Sequence, residues 1–179
     1  AFDIVALASN AVAQLTADGK VAAGSQVDVV RSGVALAVRS GAPRPDIGSE
    51  AAVKQAVLAA PTLGYSTGPS GVQLAKLFER WGIAETIQPR IVTPPPGTSV
   101  GSLIAKGEIA LGFQQLSEMM GVAGIDMIGG LPEAVQIVTT FSAARATVSP
   151  QTDAVTQCLA FLNSPGTADL KRQHGMEAV

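Results

Sequence analysis

Twice between Thr62 and Lys106 a strand-like run gives way to a Gly- or Pro-bearing turn and then to a helix, and a further strand closes the series. That order constrains the chain to a sheet flanked by helices. Thr62–Ser66 reads as a strand, Gly68-Pro69-Ser70-Gly71 as a turn, and Val72–Trp81 as a helix with Leu74, Phe78 and Trp81 on one face. Gly82 followed by Ile83 fits a left-handed helix stop with a hydrophobic contact. Ile87–Thr93 is the next expected strand, Pro94-Pro95-Pro96-Gly97 a stiff loop, and Thr98 or Ser99 the cap of a helix reaching Lys106. Ile109–Phe113 is then a strand, followed by a short helix around Leu116–Met120.

The flanks extend the pattern. Phe2–Leu7 reads as a buried strand, Ser9 as the cap of a helix to about Ala17, and Gly19 as its stop. Gln26–Val30 and Val34–Arg39 are two strands, or one strand bent at Arg31-Ser32-Gly33. Ser49 opens a helix that Pro61 ends. Ile125–Ile128 and Gln136–Ala146 are further strands, and two helices follow, Thr152–Leu162 and one from Ser164-Pro165 to Gly175. Strands alternating with helices predict an α/β protein with a mainly parallel sheet.

Composition narrows the function. Lys and Arg number 12 against 14 Asp and Glu, a net charge of −2, and no basic patch suited to nucleic acid is visible. Aromatic residues are only 4%, too few for surfaces that stack bases or sugars. No apolar run reaches the roughly 18–20 residues that span a bilayer. The one cysteine, Cys158, leaves neither an intrachain disulfide nor a cysteine zinc cluster, and its helical neighbours Leu159 and Leu162 suggest a small core residue. His174, the one histidine, falls at a helix end, where it suits the helix dipole. None of the common catalytic signatures occurs, and no carboxylates are spaced as a pair. The expectation is therefore no catalytic residue, no metal and no cofactor.

What remains points to binding. Ser66, Thr67, Ser70 and Gly71 place three hydroxyls and a glycine between a strand end and a helix start. Unpaired N–H groups and the positive end of the dipole make such a place suited to an anion, and glycine would let a ligand approach the backbone. An ordinary cap after a strand–helix turn has the same appearance, and the residues leave both readings open. Thr98 and Ser99 have the same character at the next helix start. In parallel sheets ligands collect at the carboxyl ends of strands, so the two helix starts could converge. Gln114 and Gln115 follow the strand Ile109–Phe113 at the same edge, offering both donors and acceptors, or else forming a solvated loop. Glu118 lies nearby, and the expectation is that it faces solvent or pairs with a lysine.

Several segments together resemble the molybdate-binding type of extracellular solute-binding protein. They are Phe2-Asp3-Ile4-Val5-Ala6-Leu7-Ala8, Arg31-Ser32-Gly33-Val34-Ala35-Leu36-Ala37-Val38, Ser66-Thr67-Gly68-Pro69-Ser70-Gly71, Ala105-Lys106-Gly107-Glu108-Ile109-Ala110-Leu111-Gly112-Phe113, and Phe161-Leu162-Asn163-Ser164-Pro165 with Gly175-Met176. The resemblance implies a type II periplasmic-binding fold of two α/β lobes, with residues 1–60 and 132–179 in the first lobe and 61–131 in the second. It implies ligand contacts at Ser70-Gly71, near Thr98-Ser99 and at Gln114-Gln115, a small oxyanion as ligand, an ABC permease as partner, and a periplasmic location. Gln115 stands where molybdate binders carry a tyrosine, a departure in ligand chemistry. Some relatives of this branch carry enzyme names such as ketosteroid isomerase, so an isomerase or lyase on the same scaffold is the alternative, with a truncated, non-binding interaction module as a third reading. The family has a strand, helix and strand ahead of the Phe2 segment, roughly 50–60 residues by the size of such a unit. The first lobe is therefore expected to be incomplete, and self-association through it is expected.

Overall fold

A computed structural model describes every residue except Ala1 and Pro96, so the third proline of the expected 94–97 loop lies outside the described residues. The elements in chain order are β1 (Ile4–Ala8), α1 (Ser9–Ala17), β2 (Val27–Arg39), α2 (Glu50–Ala59), β3 (Leu63–Tyr65), α3 (Pro69–Arg80), α4 (Ala84–Ile87), β4 (Ile91–Val92), α5 (Val100–Lys106), β5 (Leu111–Gln115), α6 (Leu116–Met119), β6 (Ile125–Gly130), β7 (Val138–Arg145), α7 (Thr152–Leu162), α8 (Ala168–Gln173) and β8 (Glu177–Ala178). The chain forms two compact units, one of Ala1–Ser32 with Thr139–Val179 and one of Gly33–Val138.

In the first unit β1 runs antiparallel to β7, from Ile4 opposite Arg145 to Ala8 opposite Phe141. The opening half of β2 pairs antiparallel with β8, Val30 facing Ala178. Val12 of α1 packs with Val21 and Ala144, and Val155 and Leu159 of α7 pack on Ala143. Ser9 does not cap α1. It is the helix's first residue, and its hydroxyl meets Ser142 Oγ at 2.6 Å and the Thr140 carbonyl at 3.1 Å. Lys171 of α8 is buried and donates to the carbonyls of Val29 (2.9 Å) and Leu162 (2.6 Å), so its cation is solvated by peptide oxygens. Cys158, expected in the core, is exposed, because α7 turns Val155 and Leu159 inward instead. An apolar hollow of about 380 Å³ is lined by Ala6, Val29, Phe141, Leu162, Leu170 and Met176 among others.

In the second unit the closing half of β2 pairs antiparallel with β5 and with β6, and a register shift falls between Leu36 and Ala37. β5 and β4 flank β3, both parallel to it. Among the described pairings, parallel pairing is thus confined to the β3–β4–β5 segment. The mainly parallel sheet expected from element order is corrected: strands that enter and leave through β2, β6 and β7 run antiparallel. β2 is one continuous strand, which settles the two-strand alternative.

The core joins Leu36, Val53, Val57, Leu63, Leu74, Phe78 and Phe113. That cluster places α2 in the second unit, so residues 33–60 and 132–138, expected in the first lobe, group with Gly33–Val138. Ser49 caps α2 by accepting from Ala52 N–H at 3.1 Å. α3 ends in a Schellman arrangement: Ile83 N–H reaches the Phe78 carbonyl (3.1 Å) and Gly82 N–H the Glu79 carbonyl (2.9 Å), with Gly82 at φ 67. Ile83 and Phe78 share the core, completing the hydrophobic contact.

The expected strand 87–93 shrinks to Ile91–Val92, because Ile87 ends α4 and Gln88-Pro89-Arg90 forms a 3₁₀ turn. Asp126 of β6 pins the turn after β2, accepting from Gly41 N–H (3.1 Å) and Ser40 Oγ (2.9 Å). The Gly41 N–H first, then the Ser40 hydroxyl and the nearby Arg44 charge, hold its carboxyl below the usual aspartate range.

Candidate functional site

The carboxyl ends of β3 and β5 gather most of the candidate residues. Tyr65 pairs with Phe113 in parallel register, so Ser66, just past the end of β3, and Gln114, the next residue of β5, follow side by side. β5 runs to Gln115, two residues beyond its expected end, so Gln114 and Gln115 belong to a strand and are buried, which removes the solvated-loop alternative.

α3 begins at Pro69 rather than Val72. Proline has no N–H to satisfy and a φ already suited to a helix, so it starts the helix three residues early. Ser70 and Gly71 therefore stand in the first turn, where backbone N–H groups have no helical acceptor. Gly68 occupies the N-cap position with no side-chain cap. Ser70 is buried, and its hydroxyl lies 3.3 Å from Ser66 Oγ. Thr67 is exposed between them. The structure gives Gly71 a different reason from the one expected. A Cβ there would lie 1.5 Å from the Ser66 carbonyl oxygen, so the close seating of the loop on the helix by itself requires glycine. Burial raises the Tyr65 hydroxyl above the ordinary tyrosine value, so this phenol stays neutral at neutral pH. Its ring packs edge-on against Phe78 at 5.8 Å.

At the second helix start Ser99 is the N-cap, accepting from Ser102 N–H at 3.1 Å, while Thr98 is half-buried and its own N–H is spent on the Pro95 carbonyl. The Val100 N–H donates to Gln114 Oε1 at 3.0 Å, and Gln114 Nε2 donates to the Glu118 carboxylate. Both ends of the Gln114 amide are thus engaged inside the protein. Glu118, expected to face solvent or pair with a lysine, is exposed, and its carboxylate also accepts from this amide. Sequence reasoning named both residues without linking them, since one stands in β5 and the other in α6 and no periodic pattern spans that junction.

A second polar group formed unannounced in the first unit. Ser142 Oγ meets Asp28 Oδ1 at 2.5 Å and accepts from Gln26 Nε2 at 3.2 Å, beside Ser9. Its members are more than 100 residues apart in part, so no local motif announced it. Among the described residues no cluster of three or more His, Cys, Asp and Glu side chains suits a metal ion, and no helix is long and apolar enough to cross a membrane.

Known proteins share the sequence family and the fold. A family model described as bacterial extracellular solute-binding protein matches residues 1–177. A protein of Pseudomonas sp named aconitate isomerase is 38% identical over 178 residues, covering 99% of this chain and 68% of that one. Among solved structures, the periplasmic molybdate-binding protein of Azotobacter vinelandii superposes with a TM-score of 0.79 at 16% identity, over 99% of this chain and 79% of that one. PEB3 bound to L-phospholactate gives 0.74 at 13% identity, over 99% and 80%. The chain has the α/β fold of the type II periplasmic binding proteins and belongs to the bacterial extracellular solute-binding family.

Proposed function

We propose that this chain captures a small oxyanion or carboxylate at the carboxyl edge of β3 and β5, in the periplasm, and delivers it unaltered to an ABC-type permease. The observation that carries the reading is the start of α3, where the Ser66 and Ser70 hydroxyls lie 3.3 Å apart at the first helical turn, which has no side-chain cap, with no Lys or Arg among the candidate residues. Such a site holds negative charge by dipoles and hydrogen bonds alone. At about 1.5–3 kcal/mol for each hydrogen bond to a charged group, three or four reach roughly micromolar affinity. Ser66, Thr67, Ser70, Gln115 and the N–H of Gly71 are the proposed contacts. Thr98 and Ser99 shape the neighbouring wall, and Gln114 positions it. The ligands named for similar proteins, molybdate and L-phospholactate, are oxygen-rich anions and support the class.

Titration calorimetry with sulfate, molybdate, phosphate and cis-aconitate tests the proposal. At least one should bind with a dissociation constant in the micromolar range, and Ser66→Ala with Ser70→Ala together should weaken it by about tenfold to a hundredfold, the loss of one or two hydrogen bonds. Absence of binding by all four at millimolar concentration would end the reading.

A second reading rests on the 38% identical relative: an isomerase acting on aconitate. Moving a proton within such a substrate needs a group that takes it, and Glu118 is the carboxylate bonded to a candidate residue of this edge. Incubation with cis-aconitate followed by proton NMR separates the two readings. Appearance of the trans isomer, lost in Glu118→Gln, favours the enzyme.

A further inference from the structure

We infer that Glu118, held through Gln114, is a specificity-determining residue that limits how much negative charge the site accepts. The inference rests on the oxyanion reading above. The Val100 N–H can only donate, so the end of Gln114 facing it must be the carbonyl oxygen, 3.0 Å away. That fixes the other end of the amide as a donor, and Glu118 accepts from it. The hydrogen bonds therefore run one way, from the backbone of α5 through a buried side chain to a carboxylate. Glu118 is exposed and takes part in no described ion pair, so its charge is met by water and by the Gln114 amide.

Gln114 follows Phe113 within β5, as Ser66 follows Tyr65 at the end of β3, so the carboxylate is tied two hydrogen bonds from Val100 and one from the strand segment that carries the site. The candidate contacts contain no basic side chain to offset it. A ligand bound there meets the positive end of α3 together with a fixed negative charge nearby. Repulsion from that charge grows with each unit of charge on the ligand, whereas the gain from backbone N–H groups is limited by their number. The arrangement disfavours dianions relative to monoanions of similar size.

The test compares sulfate with acetate by titration calorimetry at low salt, on the wild-type chain and on Glu118→Gln. The variant keeps an oxygen that accepts from Gln114, and a thermal unfolding midpoint equal to wild type confirms an intact fold. Water screens the exposed Glu118 carboxylate, so removing its charge is expected to tighten binding by about twofold per unit of ligand charge. The sulfate-to-acetate affinity ratio should therefore rise by about twofold, and the rise should fade as salt shortens the Debye length to about 8 Å or less. A second variant, Gln114→Glu, places another carboxylate beside Glu118 and should lower the ratio. An unchanged ratio in Glu118→Gln, with both anions bound by wild type, overturns the inference alone. If wild type binds neither anion, the oxyanion reading falls and the inference falls with it.

Discussion

A methyl group at position 71 would have to displace the Ser66 carbonyl, which is backbone and cannot swing aside as a side chain can. Gly112 offers a contrast, since a Cβ there meets side chains and no backbone, Ile104 Cδ1 at 2.4 Å and Val100 Cγ1 at 2.7 Å, which can shift by changing rotamer. Overpacking of a tight site costs about 1–3 kcal/mol and sometimes more. Gly71→Ala is expected at or above the upper end of that range, lowering the thermal midpoint by roughly 6–12 °C for a chain of this size, and to weaken anion binding. Gly112→Ala should lower it by less. Equal midpoints for wild type and Gly71→Ala, followed by circular dichroism, would show that the loop yields. The packing reason for glycine at position 71 was not legible in the sequence, because the clash partner is five residues away and visible only once the chain has turned.

Elements were legible where the chain carries its own stop signs. Ser49, Ser99, Gly82 and Gly107 end or begin helices with local chemistry, and α7 falls on Thr152–Leu162 as read. Strand ends and pairing directions were not legible. β5 gained Gln114 and Gln115 because its antiparallel partner β2 extends alongside, Val34 facing Gln115, and nothing within β5 encodes that neighbour. The turn after β2 is tied to β6 likewise by a long-range residue, Asp126. Its carboxyl titrates lower in the folded chain than in the unfolded one, so its contribution is complete above the ordinary aspartate value and is lost as pH falls through the folded-state value. Urea midpoints measured from pH 7 down to pH 3 should fall less steeply for Asp126→Asn than for wild type. Parallel curves would remove Asp126 from the acid response.

The two units differ in how well they are filled. Of the twelve largest fully buried side chains among the described residues, eleven lie in Gly33–Val138, and Val12 alone lies in the other unit. The unit of Ala1–Ser32 with Thr139–Val179 instead exposes Phe2, Leu7, Val148, Phe161, Leu170 and Val179, and it holds the apolar hollow. Local stability follows buried apolar contact. Native-state hydrogen exchange should find the slowest amides in β2 at residues 34–38 and in β5, with β1 and β7 exchanging through a lower-energy opening. Slowest exchange in β7 would invert that order. The exposed Cys158 has a practical meaning in this setting. A thiol-reactive dye would attach at one known place, on α7, with no engineered cysteine and no disturbance of the β3–β5 edge in the other unit. The sequence thus carries its own attachment point for an optical reporter of the more weakly packed half, leaving the residues of the proposed anion site chemically untouched.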